Sequence, residues 1–202
     1  LTNIRNAGQA QITGIETYVD WAATDQWRFS AGATWLDPKL TEDFCQAIDE
    51  DPCEPANFAP DGTRLPVTPT FKGNVIARYS FNVGDYEGDA QGSYVYQNDV
   101  ESELLPYNRQ FTGKQDAFGS ADFSVSLRKG VYSLTLFLNN AFDEVAELYK
   151  YQECAVEVCG TAGNPGWDGT PVFPGYSLPH PFTTYTGTNQ PRTFGLIFRQ
   201  EF

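Results

Sequence analysis

Apolar and polar positions alternate with a period of two residues over most of this chain. The clearest stretch is residues 26–36, where Trp27, Phe29 and Trp35 share one parity and polar or small residues occupy the other. Side chains of a strand point alternately to its two faces, so this pattern predicts a β-strand with one apolar face. The same pattern predicts six further strands, at about residues 8–21, 70–81, 87–98, 118–128, 132–140 and 192–202.

The chain shows little helical periodicity, and residues 141–151 are the only weak candidate for a helix. The predicted connections contain, in chain order, about four, thirty, five, twenty, two and fifty residues. Strict alternation of short and long connections predicts an antiparallel up-and-down sheet with all short turns at one end. Outer-membrane β-barrels have this arrangement, whereas long structureless loops are uncommon in compact soluble domains.

The apolar face of this sheet could contact lipid or the second layer of a secreted β-sandwich. The 202 residues include 41% hydrophobic residues but no run of the roughly 18 apolar residues that a membrane-spanning helix needs. Alternation hides the apolar band of a transmembrane barrel from such a test. Aromatic residues lie near strand ends, as in the interfacial girdles of barrels, and this placement favours lipid. These residues are Trp21, Trp27, Trp35, Phe71, Tyr79, Phe81 and Tyr132.

The net charge excludes some classes of binding partner, and the cysteines indicate the cellular compartment. A formal net charge of −13 argues against nucleic acid and against binding to the surface of an anionic membrane. Four cysteines occur as two close pairs, Cys45 with Cys53 and Cys154 with Cys159. Of the three possible pairings we favour these two local disulfides, which indicate an oxidising compartment. A zinc site would require tighter spacing of the cysteines, and we favour it less.

Four segments of the chain resemble, in order, the C-terminal half of TonB-dependent outer-membrane receptors. They are residues 6–16 (NAGQAQITGIE), 62–69 (GTRLPVTP), 136–143 (LFLNNAFD) and 191–202 (PRTFGLIFRQEF). The resemblance implies an all-β, antiparallel up-and-down transmembrane barrel of 22 strands, closed by an N-terminal plug domain. Residues 1–202 would supply its last seven strands, and the plug, the TonB box and the N-terminal strands would lie outside them.

The resemblance also implies a function and a location. Such receptors import scarce nutrients, among them siderophores, vitamins, saccharides and peptides, with energy transmitted through TonB. The chain would lie in the outer membrane of a Gram-negative bacterium, with its long loops extracellular and its C-terminus periplasmic. Its partners would be outer-membrane lipid, the plug and remaining strands, TonB and the barrel-assembly machinery. The closing Phe202 resembles the C-terminal aromatic residue that this machinery recognises.

The alternative function is a secreted or surface β-sandwich whose aromatic loops recognise carbohydrate or protein. An enzyme is disfavoured because the chain has one His and neither a nucleophile elbow nor a glycine-rich phosphate loop. We predict no cofactor. Clustered acids around Cys45 suggest calcium, but no spacing among them matches a calcium loop, so a solvated acidic surface is favoured.

Candidate ligand-binding residues lie in the third long loop, where aromatic side chains could stack on a ligand. Self-packing of the same loop is the competing interpretation. The polar parity of the strands predicts a lining of the lumen whose charges pair with one another. The loop residues are Tyr149, Tyr151, Trp167, Phe173, Tyr176, His180 and Tyr185, and the lining residues are Glu16, Arg28, Lys72, Arg78, Asp122 and Arg128.

Overall fold

The structure is a computed structural model that describes residues 8–46, 52–153 and 183–201. The described strands are β1 (Ala10–Ala22), β2 (Trp27–Leu40), β3 (Phe44–Cys45), β4 (Phe58–Ala59), β5 (Phe71–Val83), β6 (Tyr86–Gln97), β7 (Val100–Glu101), β8 (Lys114–Gln115), β9 (Phe118–Lys129), β10 (Tyr132–Asn139), β11 (Glu147–Glu153), β12 (Thr183–Thr188) and β13 (Thr193–Gln200). A 3₁₀ turn spans Pro55–Asn57, and helix α1 spans Pro106–Thr112.

Seven strands form one antiparallel sheet in the order β1-β2-β5-β6-β9-β10-β13. Sequence neighbours among these seven are also spatial neighbours, which makes the sheet an up-and-down meander. They coincide with the seven strands predicted from the sequence, so the all-β, antiparallel up-and-down fold is confirmed. The other described strands form two-stranded pairs, β3–β4, β7–β8 and β11–β12, in the connections.

The connections between the seven strands of the sheet alternate in length as predicted. Short turns cover residues 23–26, 84–85 and 130–131, and long loops cover residues 41–70, 98–117 and 140–192. The turn predicted at residues 82–86 is tighter than expected, because pairing continues to Val83 and Tyr86. Gly84 accommodates this two-residue turn with a φ of 59°, a conformation that glycine adopts without steric cost. We refer to the two ends of the sheet as the short-turn end and the long-loop end.

The sequence was misleading about helices. Residues 141–151 contain no helix, and residues from Glu147 onward form β11 instead, paired with β12 across a register shift. Helix α1, which the periodicity did not indicate, has only seven residues and begins at Pro106. A single helical turn or two is too short to show the 3.6-residue period. Among the described residues, no helix is both long enough and apolar enough to cross a membrane.

The secreted β-sandwich is not supported by the structure. The apolar face of the seven-stranded sheet stays uncovered within the described part of the chain, with Ile15 69% exposed, Trp21 60% and Phe194 85%. A sandwich would bury these side chains against a second sheet. A described cluster of buried residues lies at the long-loop end instead, where Leu40 at the end of β2 packs with Ala59 and Leu105 of the first two long loops.

Candidate functional site

The apolar face of the sheet carries one row of aromatic rings at each end. At the short-turn end the rings of Trp21, Phe29, Trp27, Tyr79 and Phe81 follow one another across β1, β2 and β5 with centroid distances of 4.7–5.9 Å. At the long-loop end Trp35, Phe71 and Tyr96 form the second row, at 5.0 and 6.0 Å.

The two rows are separated by eight residues of β2, from Trp27 to Trp35, which is about 26 Å along the strand and about 20 Å across the membrane at the strand tilt of such barrels. A transmembrane barrel has an outward apolar band of about 25 Å between aromatic girdles. The rows therefore have the placement expected of the two membrane interfaces, and the face between them that of a lipid-facing wall.

The opposite face of the sheet is polar, and it carries the predicted lining residues. Arg28 forms an ion pair of 2.7 Å with Asp20, and Arg78 donates a hydrogen bond of 2.6 Å to Gln91. Arg128 lies opposite Glu87 in the register of β6 and β9. The prediction of mutual charge pairing holds for Arg28 only, because the described residues provide no ion pair for the other predicted lining residues.

A cavity of about 600 Å³ opens on this polar face near the long-loop end. The residues that line it include Glu16, Tyr18, Gly32, Lys72 and Gln97. These positions have the parity of the polar face, and the lining also includes Tyr96 of the aromatic row at the long-loop end. Its volume is in the range of small-molecule sites.

Two arginines join the first and second long loops. Arg109 of α1 donates hydrogen bonds to the carbonyl oxygens of Glu103 at 2.9 Å and Arg64 at 2.6 Å, and it lies 3.6 Å from the carboxylate of Glu101. Arg64 in turn donates to the backbone carbonyl of Asp99 and pairs with its carboxylate at 3.4 Å. The planar guanidinium provides several donors in fixed directions, which suits it to bridging backbone carbonyls of two segments.

Burial alters the acid–base behaviour of this loop junction. Desolvation raises the pKa of Glu103 above the usual value of a glutamate. Desolvation also lowers the pKa of Arg109, although the carboxylate of Glu101 opposes that change. Arg109 remains charged at physiological pH, because an arginine starts from a very high pKa.

Strands β11 and β12 lie near the two ends of the third long loop and pair with each other. We call this pair the hairpin; it presents a row of three tyrosines. Tyr151 stacks on Tyr149 at 6.1 Å and on Tyr185 at 5.2 Å, and all three are about half exposed. Lys150 has the opposite parity and donates a hydrogen bond of 2.9 Å to the carbonyl of Lys114. One face of the hairpin therefore contacts the second loop, and the other presents the tyrosine row, defined as Tyr149, Tyr151 and Tyr185.

The tyrosine row unites three of the residues predicted as a ligand-binding rim. Trp167, Phe173, Tyr176 and His180 lie outside the described residues. Sequence reasoning missed Asn140, which is 5% exposed and fixes the base of the same loop. Its side-chain amide donates to the carbonyls of Glu144 at 2.8 Å and Gln190 at 3.0 Å. Asn140 could have been identified from the sequence by its position in the segment LFLNNAFD, which resembled the receptor family.

Cys45 and Cys53 form a disulfide in the first long loop, with Cα atoms 6.0 Å apart. Cys154, Cys159 and the assembly-signal residue Phe202 lie outside the described residues. The acidic stretch around Cys45 is described only in part. In it the carboxylate of Asp43 accepts a hydrogen bond of 2.8 Å from the backbone of Asp61. Within the described ranges, no three His, Cys, Asp or Glu residues are grouped so as to hold a metal ion.

An up-and-down sheet with one lipid-facing surface, one polar surface and long loops at one end defines the wall of a transmembrane β-barrel. The family model described as TonB dependent receptor-like, beta-barrel, matches residues 1–141, which is more than half of the chain. The chain belongs to this family. The family consists of outer-membrane receptors, and the sequence-based prediction that the chain is not an enzyme agrees with it.

Solved structures of similar fold are siderophore receptors. The ferric yersiniabactin uptake receptor FyuA of Yersinia pestis matches with a TM-score of 0.65 and 15% identity over 98% of this chain. BauA, the ferric preacinetobactin receptor of Acinetobacter baumannii, matches with a TM-score of 0.59 and 15% identity over 95% of this chain. The siderophore receptor PiuA of Acinetobacter baumannii matches with a TM-score of 0.56 and 20% identity over 70% of this chain.

The chain spans only 24%, 22% and 19% of the lengths of FyuA, BauA and PiuA, respectively. At these identities the similarity shows the fold. Among curated protein sequences, none matches the chain.

Proposed function

We propose that this chain forms C-terminal barrel wall and ligand-binding loops of a receptor that imports a scarce nutrient across the outer membrane with energy from TonB. The observation that carries the proposal is the pair of aromatic rows on the outer face, together with the family match over residues 1–141. A plug domain, further strands and the TonB-contacting segment would complete the receptor. The nutrient would be a siderophore, vitamin, saccharide or peptide.

The alternation of connections supports an orientation for this wall. Barrels of the outer membrane place short turns in the periplasm and long loops outside the cell. The long-loop end, with its disulfide and tyrosine row, would accordingly be extracellular, and the end of β13 periplasmic. Phe202 would then serve as the signal for the barrel-assembly machinery, and deletion of Phe202 should reduce the amount of receptor in the outer membrane.

In this proposal the tyrosine row is the first contact of the nutrient with the described loops. Stacked phenol rings offer flat, half-exposed faces to sugars, aromatic rings or cations. The hairpin holds the rings in place, because Tyr151 and Tyr185 are direct cross-strand partners. Trp167, Tyr176 and His180, predicted from the sequence, would extend this contact surface.

Nutrient-limited growth tests the import function. Cells that lack their other importers, with and without the intact receptor, are supplied with a panel of iron complexes, cobalamin, oligosaccharides and peptides. We expect growth on at least one nutrient to require both the receptor and a functional TonB. Growth that needs the receptor but not TonB would indicate passive diffusion and contradict the proposal.

Substitutions in the tyrosine row test the role of the loops. Tyr151→Ala removes the central ring of the stack and should weaken binding of the nutrient identified by growth about tenfold, whereas Tyr151→Phe keeps the ring and should retain affinity. Tyr107→Ala is the matched control, since this exposed aromatic residue contacts Phe111 outside the row. Equal affinities for all three variants would remove the tyrosine row from the binding site.

A further inference from the structure

The turn that joins two strands of a sheet can specify which of their residues face each other. In the seven-stranded sheet, short turns join β1 to β2, β5 to β6 and β9 to β10. Turn type and length fix the register of such pairs. The pairs β2–β5, β6–β9 and β10–β13 are joined by the long loops, which impose no comparable constraint. The register of these three pairs is therefore left to contacts between the strands themselves.

The apolar face of β10 and β13 discriminates weakly between alternative registers. A slip by one residue exchanges the two faces of a strand, but a slip by two residues preserves them. On this face β10 presents three leucines to three large apolar residues of β13. The register pairs are Leu134 with Phe198, Leu136 with Leu196, and Leu138 with Phe194. After a slip by two residues in either direction, two of the leucines would still face a phenylalanine or a leucine.

The polar face of the same two strands carries a pair that fits one register specifically. Phe137 lies directly opposite Gly195. Its ring lies over the glycine, because a Cβ added to Gly195 would overlap ring atoms of Phe137. A slip by two residues would place Phe137 opposite Thr193 or Ile197, whose side chains would occupy the space of the ring. Of these three registers, only the observed one accommodates the ring without displacing it.

The other two pairs of strands that are joined by long loops have comparable contacts. In each pair a side chain of one strand lies against a glycine of the other. These contacts are Tyr94 over Gly119 between β6 and β9, and Asn74 opposite Gly32 between β2 and β5. Phe81 opposite Gly88 adds the same kind of contact to β5–β6, where the turn already fixes the register. A glycine covered by its neighbour is therefore present wherever a long loop leaves the register open.

We propose that Phe137 and Gly195 form a register lock, which selects one alignment of β13 with β10 while the barrel wall assembles. The ring and the missing side chain are complementary in this alignment only. A slip by two residues would displace β13 by about 7 Å along β10. Closing a sheet into a barrel requires a fixed stagger of its strands, so this displacement would prevent correct closure. The register lock gives the pair a role in assembly that is separate from import.

Disulfide crosslinking measures the register directly. Thr135→Cys with Ile197→Cys joins positions that are opposite in the observed register. Thr135→Cys with Arg199→Cys, and Ser133→Cys with Ile197→Cys, join positions that become opposite only after a slip by two residues. Opposite Cβ atoms lie close to disulfide range, whereas diagonal neighbours are about 7 Å apart. Outer membranes that contain the intact receptor are oxidised mildly, and the linked peptides are identified by mass spectrometry. We expect the first crosslink to predominate.

Substitutions of the two residues test the register lock. Gly195→Ala places a Cβ under the ring. Phe137→Ala removes the ring and creates no overlap, so it provides the answer if Gly195→Ala does not accumulate in the membrane. Each should lower the ratio of the first crosslink to the slipped ones about tenfold. The exchange variant, Phe137→Gly together with Gly195→Phe, restores the complementarity in reverse and should restore the ratio.

Leu136→Ala is the matched control, because Leu136 lies on the apolar face of the same strand. It should lower the thermal unfolding midpoint of the receptor and leave the ratio of crosslinks unchanged. An unchanged ratio in both Gly195→Ala and Phe137→Ala would overturn the inference. A slipped register in Leu136→Ala would also overturn it, because the apolar face would then specify the alignment. The crosslinks form without any nutrient, so they report on assembly independently of the import function.

Discussion

The side-chain amide of Asn140 donates a hydrogen bond of 3.0 Å to the carbonyl oxygen of Gln190, fifty positions away in the sequence. This bond ties the two stems of the longest connection together at the end of β10. The backbone N–H of Asn140 donates to Asp122 on β9 at 2.8 Å, and its Oδ1 accepts from the backbone of Glu144 at 2.9 Å. One buried residue thereby links a strand of the wall to both stems of the loop that carries the tyrosine row.

Asn140→Ala should loosen this loop without preventing insertion of the barrel. The substitution removes three side-chain hydrogen bonds of a buried residue, although the carbonyl of Glu144 keeps a donor in the side chain of Asn189, and should cost about 1–3 kcal/mol in local stability. Limited proteolysis of outer membranes should show faster cleavage within residues 140–192. Asn140→Asp keeps the acceptor but places a buried carboxylate oxygen against the carbonyl oxygens of Glu144 and Gln190, so it should accelerate cleavage at least as much as alanine.

The positive φ of Asn140, 48°, provides a control for backbone strain. Asn140→Gly tolerates this φ and lacks the side chain. If lost hydrogen bonds cause the loosening, glycine and alanine should both accelerate cleavage. Cleavage at the wild-type rate in Asn140→Gly would show instead that only the backbone conformation matters.

Gly119→Ala should destabilise the lipid-facing wall. The phenol ring of Tyr94 lies across Gly119 on the neighbouring strand, and an added Cβ would overlap that ring. Displacing the ring should lower the free energy of unfolding by about 1–3 kcal/mol, measured as the thermal midpoint of the intact receptor in detergent. Gly92→Ala is the matched control, because its Cβ would lie at 3.2 Å from Phe123 and require only a small shift.

A double variant separates the ring overlap from any intrinsic effect of the glycine. In a Tyr94→Ala background the ring is absent, so Gly119→Ala should have little further effect. An undiminished effect in that background would refute the overlap as the cause.

Arg109→Met should separate the first and second long loops. The variant keeps much of the apolar stem but loses the donors to Arg64, Leu104 and Glu103, whose carbonyls it leaves partly buried. Amide hydrogen exchange within residues 59–70 and 98–112 should accelerate about tenfold, in line with a loss of about 1.4 kcal/mol in loop stability.

Two further variants serve as controls for Arg109. Arg109→Lys restores the charge but not the fork of donors, so it should rescue exchange only partly. Arg28→Ala removes an exposed ion pair on the inner wall and should leave exchange in the loops unchanged. Full rescue by lysine would show that charge alone holds the loops together.

The loop junction should be more stable in mildly acidic solution. Burial raises the pKa of Glu103 in the folded state, so the folded loop binds a proton more tightly than the unfolded loop. The stabilising contribution is complete below the unfolded pKa and is lost as pH rises through the folded pKa. Proteolysis of residues 98–117 should therefore accelerate as pH increases above the ordinary range of a glutamate.

Glu103→Gln should remove this part of the pH dependence and slow cleavage at neutral pH, because glutamine has no charge to desolvate. A pH profile should be measured with a protease whose own activity is corrected on an unfolded peptide. An identical profile for wild type and Glu103→Gln would assign the dependence to another group.

The strands of the sheet could be predicted from the sequence more accurately than the structure of the long loops. The strand in residues 26–36 was recognisable because each of its side chains reports on the face to which it points, and this information is local. The structure extends the strand to Leu40, beyond the clean alternation, because Leu40 pairs with Ala10 and its side chain enters the loop core. Gly14 belongs to the segment that resembled the family. The structure shows why a glycine stands there, since an added Cβ would overlap the backbone of Trp35.

The sequence by itself determined the seven strands, their apolar face and the alternation of turns and loops, because a two-residue period and local turn chemistry specify these features. Only the tertiary structure decided how the long loops are joined. Asn140 meets Gln190, Arg109 meets Arg64, and Tyr151 meets Tyr185 through contacts between distant segments that follow no period.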